Sequence, residues 1–131
     1  MSQANVEIVR RGFESFGRGD LEAALAMLDP AVEWKQMEEP AAVRGPDAVV
    51  EALGRWTEMW TDAEVTPQEW IDAGDTVVAQ VKWTGRSKAT NVPVEQYAYN
   101  VFTLHAGKVV QMQEYGAHSR AEALEAAGLS E

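Results

Sequence analysis

The hydrophobic period changes once along the chain, and this change limits the fold more than any other feature of the sequence. In the first part of the chain, apolar residues recur every three or four positions, as on one face of a helix. The first such stripe contains Val6, Val9, Phe13 and Phe16. From Glu64 onward the period is two, which is typical of strands. Helices followed by a run of strands predict an α+β domain with helices packed on one face of a sheet.

Capping and turn residues set the limits of the predicted helices. Gly17 ends the first helix, and Asp20 caps a second one that ends at Asp29-Pro30. A short strand at 32–34 precedes a third helix, which begins at 45–47 with proline in its first turn. Its predicted apolar stripe contains Val49, Leu53, Trp56 and Trp60.

Four antiparallel strands and a last helix complete the predicted order. The strands cover 64–72, 76–85, 92–105 and 108–116, with glycine-containing turns closing the first and last hairpins. Ser119 and Glu122 form a capping box that begins a C-terminal helix. Both faces of the third long strand carry apolar residues, so we expect both to be covered, the outer face by a second copy of the chain.

Length and charge exclude several classes of function. A chain of 131 residues fits one domain, 1–131. Its formal net charge of −10 repels phosphate backbones and anionic bilayers, so we expect no nucleic-acid or membrane partner. The absence of cysteine and of a signal-like first segment favours a soluble, cytoplasmic protein. Two distant histidines offer no metal-ligand spacing, and no phosphate-binding loop is present, so we expect neither metal nor cofactor.

One carboxylate stands out in the last predicted hairpin. If Ala106-Gly107 is a two-residue turn, Glu114 pairs with Tyr99 on a face that also carries Tyr97 and Met112. A carboxyl group on an inward face has a raised proton affinity and can act as a general acid or base. Tyr99 would then orient the carboxylate or a substrate oxygen. Alternatively, Glu114 pairs with an arginine, or faces water after a register slip of one residue.

Aromatic residues are the other candidates for a site. Tryptophan occurs five times in this short chain, and such side chains form ordinary cores as well as walls for apolar ligands. The predicted pocket residues are Trp34, Trp56, Trp60, Trp83, Tyr97, Met112 and, near the mouth, His118.

Several stretches of the chain together resemble the SnoaL-like family of the nuclear transport factor two superfamily. They include Phe13-Glu14-Ser15-Phe16 and Arg44-Gly45-Pro46-Asp47, and the similar segments in order are 13–16, 19–25, 28–34, 44–49, 107–110 and 121–129. The resemblance implies a cone-shaped α+β barrel, in which N-terminal helices pack on the concave face of a curved antiparallel sheet, often as a homodimer. It also implies that an acid on the last strand acts as acid/base, at a place similar to Glu114. The family pattern is matched imperfectly there, since the strand ends in Gly116-Ala117-His118.

The family's relatives include polyketide cyclases, ketosteroid isomerases and epoxide hydrolases, and also non-catalytic modules, so fold alone does not select a chemistry. Two interpretations stay open. In the first, the protein is a cofactor-independent acid/base enzyme of cyclase, isomerase, dehydratase or hydrolase type. Its substrate would be a small hydrophobic molecule with a carbonyl or hydroxyl group, with Glu114 and Tyr99 as catalytic residues. In the second, it is a non-catalytic ligand-binding or dimerisation module.

Overall fold

Four helices and six strands make up the part of the chain that the computed structural model describes, residues 2–35, 42–116 and 119–129. The helices are α1 (Ser2–Gly17), α2 (Leu21–Leu25), α3 (Pro46–Glu58) and α4 (Arg120–Ala126). The strands are β1 (Leu28–Lys35), β2 (Val43–Arg44), β3 (Trp60–Ala73), β4 (Thr76–Ser87), β5 (Pro93–His105) and β6 (Lys108–Gly116). None of the described helices is long and apolar enough to cross a membrane.

All six strands belong to one sheet, in the order β2-β1-β6-β5-β4-β3. The predicted meander from β3 to β6 is confirmed, because each of these strands is antiparallel to the next. The α+β class is confirmed as well. The expectation of a wholly antiparallel sheet is wrong in one place, since β1 runs parallel to β6. The sheet is mixed and curved, and it stays open between its edge strands β2 and β3.

Local sequence accounts for the helices close to the predicted positions. Asp20 caps α2, where its side-chain oxygen accepts a hydrogen bond from the Ala23 amide at 3.1 Å. Pro46 begins α3, since its fixed φ suits the first helical turn. Two predicted helical residues are instead the first residues of strands. Leu28 begins β1 and Trp60 begins β3, because tertiary pairing overrides their helical spacing.

The inner face of the sheet, defined as the face covered by α1, α2 and α3, carries the main core. Val9 from α1 and Val49 from α3 are almost fully buried there. From the sheet, alternate residues of β4 reach the same core, namely Val77, Ala79 and Val81. This alternation follows from the two-residue period of a strand. The helices therefore cover the wall on which the candidate site lies.

The outer face of the sheet is covered in part by α4. Ala123 is fully buried there against Val78, Tyr99 and Val101, which form a second, smaller core. This packing explains why both faces of β5 are apolar. Ser119 is the N-cap residue of α4 as predicted, but its side chain makes no capping hydrogen bond, so the predicted capping box is not formed.

Candidate functional site

A cavity of about 810 Å³ lies between the helices and the inner face of the sheet. Its walls are mostly apolar and aromatic. Within the described residues, the ionisable side chains in its lining are Glu114 from β6 and Arg55 from α3. Gln96 and Asn100 from β5 add two amides. An apolar chamber with a few polar groups is the usual form of a small-molecule site.

The cavity has a solvent-exposed rim and a buried floor. We define the rim as the exposed lining residues, which are Leu21, Arg55, Met59 and Gln96. The floor contains buried side chains such as Trp34, Val81, Phe102 and Met112. A molecule that entered from the rim would therefore exchange water for apolar contacts as it moved inward.

Three tryptophans form one cluster in the cavity wall. The Trp83 ring lies 5.4 Å from that of Trp56 and 5.1 Å from that of Trp60, with interplanar angles of 79° and 66°. These edge-to-face contacts are favourable because the positive edge of one ring meets the negative face of another. Trp60 Nε1 is buried and has no hydrogen-bond partner among the described residues. The backbone of Gly85 faces Trp60 closely, since a Cβ at that position would lie 3.3 Å from the Trp60 Cβ.

The register of the last hairpin differs from the prediction by one residue. The two-residue turn is present and pairs His105 with Lys108, as expected. A bulge follows, because Leu104 pairs with Val109 whereas Thr103 pairs with Gln111. Val110 is thus an extra residue in β6, and every pair beyond it is shifted by one.

This shift changes the neighbour of the candidate acid. Glu114 pairs with Asn100, whereas Tyr99 pairs with Tyr115, so the predicted Glu114–Tyr99 pair is wrong. Both Glu114 and Asn100 line the cavity. The bulge also explains why Val109 and Met112, three positions apart, are both buried in the inner core. After Val110 the alternation resumes, which brings Glu114 to the same side as Met112.

Tyr99 lies on the outer face, away from the cavity lining. Its hydroxyl accepts a hydrogen bond from Gln80 Nε2 at 3.3 Å, and the Arg120 guanidinium lies 5.7 Å from its ring centre. Arg120 also donates to Glu69 Oε1 at 2.9 Å. The hydrogen bond with Tyr99, followed by the interactions with Glu69, raises the pKa of Arg120 above its usual range. Tyr99 therefore helps to fix α4 on the sheet.

The other sequence-predicted site residues divide into three groups. Trp34, Trp56, Trp60, Trp83 and Met112 line the cavity together with Glu114. Tyr97 does not line it, because it lies on the outer face like Tyr99 and its surface is 38% exposed. His118 lies outside the described residues.

The sequence analysis does not identify three polar or charged residues of this site, nor the bulge that positions Glu114. The predicted register gives Asn100 and Gln96 no role, because it places Tyr99 and Tyr97 on the inner face. Arg55 is not identified because the prediction for the third helix considers only its apolar stripe, and Arg55 lies outside that stripe. A recognisable signal for the bulge was the adjacent pair Val109-Val110 before the alternation of Gln111 and Gln113. Within the described ranges, no group of three or more acidic or histidine side chains gathers as metal ligands.

The fold of this chain agrees with the folds of similar proteins of known structure. The sequence model of a family described as SnoaL-like domain matches residues 9–112. A protein from Burkholderia xenovorans, described as similar to nuclear transport factor two, shares 31% sequence identity with this chain. Its structure superposes with a TM-score of 0.75 and covers 88% of this chain and 90% of its own. A proposed SnoaL-like polyketide cyclase from a Jannaschia species is 23% identical, with a TM-score of 0.80 and coverage of 88% and 87%.

A third similar structure contains a small molecule. The protein TerC, co-crystallised with polyporic acid, is 20% identical, with a TM-score of 0.77 and coverage of 86% of this chain and 91% of that one. No curated protein sequence matches the chain at a significant level. At these identities the similarity to TerC and to the Jannaschia protein concerns the fold alone.

Proposed function

The chain belongs to the SnoaL-like domain family, and on that premise we propose that its cavity binds a small hydrophobic molecule with a carbonyl or hydroxyl group. We further propose that Glu114 transfers a proton on that molecule as general acid/base, without a cofactor. The reaction would be of cyclase, isomerase, dehydratase or hydrolase type. All four types share a proton-transfer step that one carboxylate can perform.

The observation that carries this proposal is the position of Glu114. Within the described residues it is the one carboxylate in the cavity lining, and its cross-strand neighbour Asn100 lines the same wall. Directly paired residues of an antiparallel sheet have Cβ atoms about 5 Å apart. One small carbonyl group can therefore contact both side chains at once.

The arrangement suggests a simple division of roles. The Glu114 carboxylate takes a proton from a carbon next to a carbonyl, and the C–H electron pair moves into the bond to the carbonyl carbon. The carbonyl electrons move to its oxygen, where the Asn100 amide N–H donates a hydrogen bond to the developing charge. Glu114 then returns the proton to carbon or to a leaving oxygen. Trp34 and Met112 support this step by excluding water from the floor.

The structural neighbours support a small-molecule ligand. TerC was co-crystallised with polyporic acid, and a similar protein from Catenulispora acidiphila is in complex with trimethylamine. Neither ligand is carried over to this chain as its substrate. What the neighbours support is the use of this fold to hold small organic molecules.

We expect Glu114→Gln to abolish turnover while leaving binding nearly unchanged, because the amide keeps the size of the side chain but cannot accept the proton. A residue that performs general acid/base catalysis contributes about 100-fold to 10,000-fold to the rate. Binding is measured by quenching of tryptophan fluorescence with uncharged ketones, lactones and epoxides, and turnover by product analysis of the same mixtures. Tyr99→Phe is the matched control, since Tyr99 lies on the outer face, and it should retain both binding and turnover.

Two results would contradict the proposal in different ways. Unchanged turnover in Glu114→Gln would remove Glu114 from catalysis. Saturable quenching without product for any compound, in the wild type as in the variant, would favour the non-catalytic ligand-binding module instead.

Two properties of the whole protein accompany this proposal. A homodimer formed through the outer face of the sheet would cover Tyr97, which α4 leaves partly exposed. A cytoplasmic location fits the absence of cysteine from the sequence.

A further inference from the structure

We propose that the ligand of the cavity is an amphipathic anion, whose apolar body lies inside and whose carboxylate or sulfonate group is held at the rim by Arg55. This inference rests on the proposed function, because it takes the cavity as the ligand site and adds the chemical class of the ligand. It concerns the end of the ligand that stays near solvent, and not the group on which Glu114 would act.

The first argument is the position of the positive charge. Arg55 is the one cationic side chain in the described lining of the cavity, and it belongs to the rim, with its side chain 62% exposed. An anionic group placed there stays in contact with water, so it avoids the large cost of burying a charge. The same group on the apolar floor would bear that cost without a cationic partner among the described lining residues.

The second argument is the apolar surface beside that charge. Met59, four residues after Arg55 and next to the end of α3, is 56% exposed, and Leu21 of α2 is 42% exposed. Trp56 follows Arg55 directly and belongs to the tryptophan cluster in the cavity wall. A cationic group thus stands at the opening of an aromatic chamber with apolar side chains around it. This pattern fits a molecule with one charged end and an apolar body.

The third argument is that the present partner of Arg55 can be replaced. Arg55 Nη1 contacts Glu51 Oε1 at 3.0 Å, one turn earlier on α3, and the Glu51 side chain is 75% exposed. Exposed pairs of this kind are weak, whereas the guanidinium presents five N–H donors that can bind a carboxylate or sulfonate through two parallel bonds. The net charge of −10 opposes the approach of anions. At physiological ionic strength, however, salt largely screens charges that lie more than about 8 Å from the anion.

Two fluorescent dyes test the charge directly. Anilinonaphthalene sulfonate and the neutral N-phenyl-1-naphthylamine share one aromatic framework and differ by the sulfonate group. We expect Arg55→Gln to weaken binding of the sulfonate about fivefold, the size of one partly exposed ion pair, and to change that of the neutral dye less than twofold. Glu51→Gln should strengthen sulfonate binding about twofold, because it removes the competing carboxylate.

The chain offers a matched control for nonspecific attraction. Arg10 and Glu7 form a similar exposed pair on α1, and neither residue lines the cavity. Arg10→Gln should therefore leave the affinity for both dyes unchanged. Retained binding of the neutral dye by Arg55→Gln shows at the same time that this variant is folded.

The outcomes separate this inference from the proposed function. If both dyes bind and Arg55→Gln lowers the two affinities equally or not at all, the anionic ligand class is excluded, while the cavity remains a ligand site. If Arg10→Gln weakens sulfonate binding as much as Arg55→Gln does, the attraction is general and the proposed role of Arg55 is wrong. If the neutral dye does not bind the wild type, both the inference and the ligand-binding cavity fail.

Discussion

At the scale of single residues, adjacent positions on β5 have opposite roles. Asn100 lines the cavity beside Glu114, whereas Tyr99 is buried on the outer face, where it contacts Gln80 and Arg120. The sequence indicates a carboxylate and a hydrogen-bonding residue near each other on the last two strands. It does not indicate which neighbour is correct, because a one-residue change of register exchanges the two faces of a strand.

Trp83 is expected to contribute both to stability and to the fluorescence response to a ligand. It contacts two other tryptophans in the cavity wall, so Trp83→Phe should lower the free energy of unfolding by about 1–2 kcal/mol. It should also reduce the fluorescence quenching that a bound ligand causes. Urea denaturation and ligand titration measure the two effects.

Trp70→Phe is the control for this change. Trp70 packs against Phe13 with ring centres 5.7 Å apart and is not among the described lining residues. It should lose a similar amount of stability and keep the quenching. Equal loss of quenching in both variants would mean that the tryptophan cluster does not face the ligand.

At the scale of elements, the short helix α4 is held on the sheet by a small set of contacts. Its buried residue Ala123 packs against Val78, Tyr99 and Val101, and Arg120 at its first turn bonds to Glu69 of β3. A larger side chain at position 123 has no space unless the helix moves away from the sheet.

We expect Ala123→Leu to destabilise the fold by about 1–3 kcal/mol and to increase hydrogen exchange in α4. Ala121→Leu is the matched control, because Ala121 is exposed on the same helix, and it should have little effect. Thermal unfolding and hydrogen-exchange mass spectrometry measure the difference. Equal stability of the two variants would show that α4 is not packed on the outer face in solution.

Element boundaries and pairings show what a pattern of residues can and cannot predict. The meander was predictable because its strands alternate and the turns of its first and last hairpins contain glycine, and the starts of α2 and α3 were predictable from Asp20 and Pro46. The parallel pairing of β1 with β6 was not, since it joins segments about 80 residues apart and no local residue type specifies it. Trp60 was assigned to a helix because it lies four residues after Trp56, although it begins β3.

At the scale of the whole molecule, the proposed homodimer through the outer face of the sheet can be tested directly. If a second copy covers this face, sedimentation equilibrium should give twice the monomer mass of 14.4 kDa. Tyr97→Lys should then yield monomers, because the dimer would bury a charge without a partner at the place that Tyr97 occupies. Val92→Lys is the control, because Val92 is 53% exposed just before β5 begins. A monomeric wild type at millimolar concentration would rule out the dimer.

The extra residue Val110 has a consequence for how such a cavity can change over generations. Val110 lies opposite no residue of β5, so loss of its codon would leave Val109 paired with Leu104 and Gln111 paired with Thr103, as they are now. Glu114 would still pair with Asn100 and line the cavity, and only the bulge would disappear. The bulge thus allows β6 to lose one residue at this point while the wall of the cavity keeps its carboxylate.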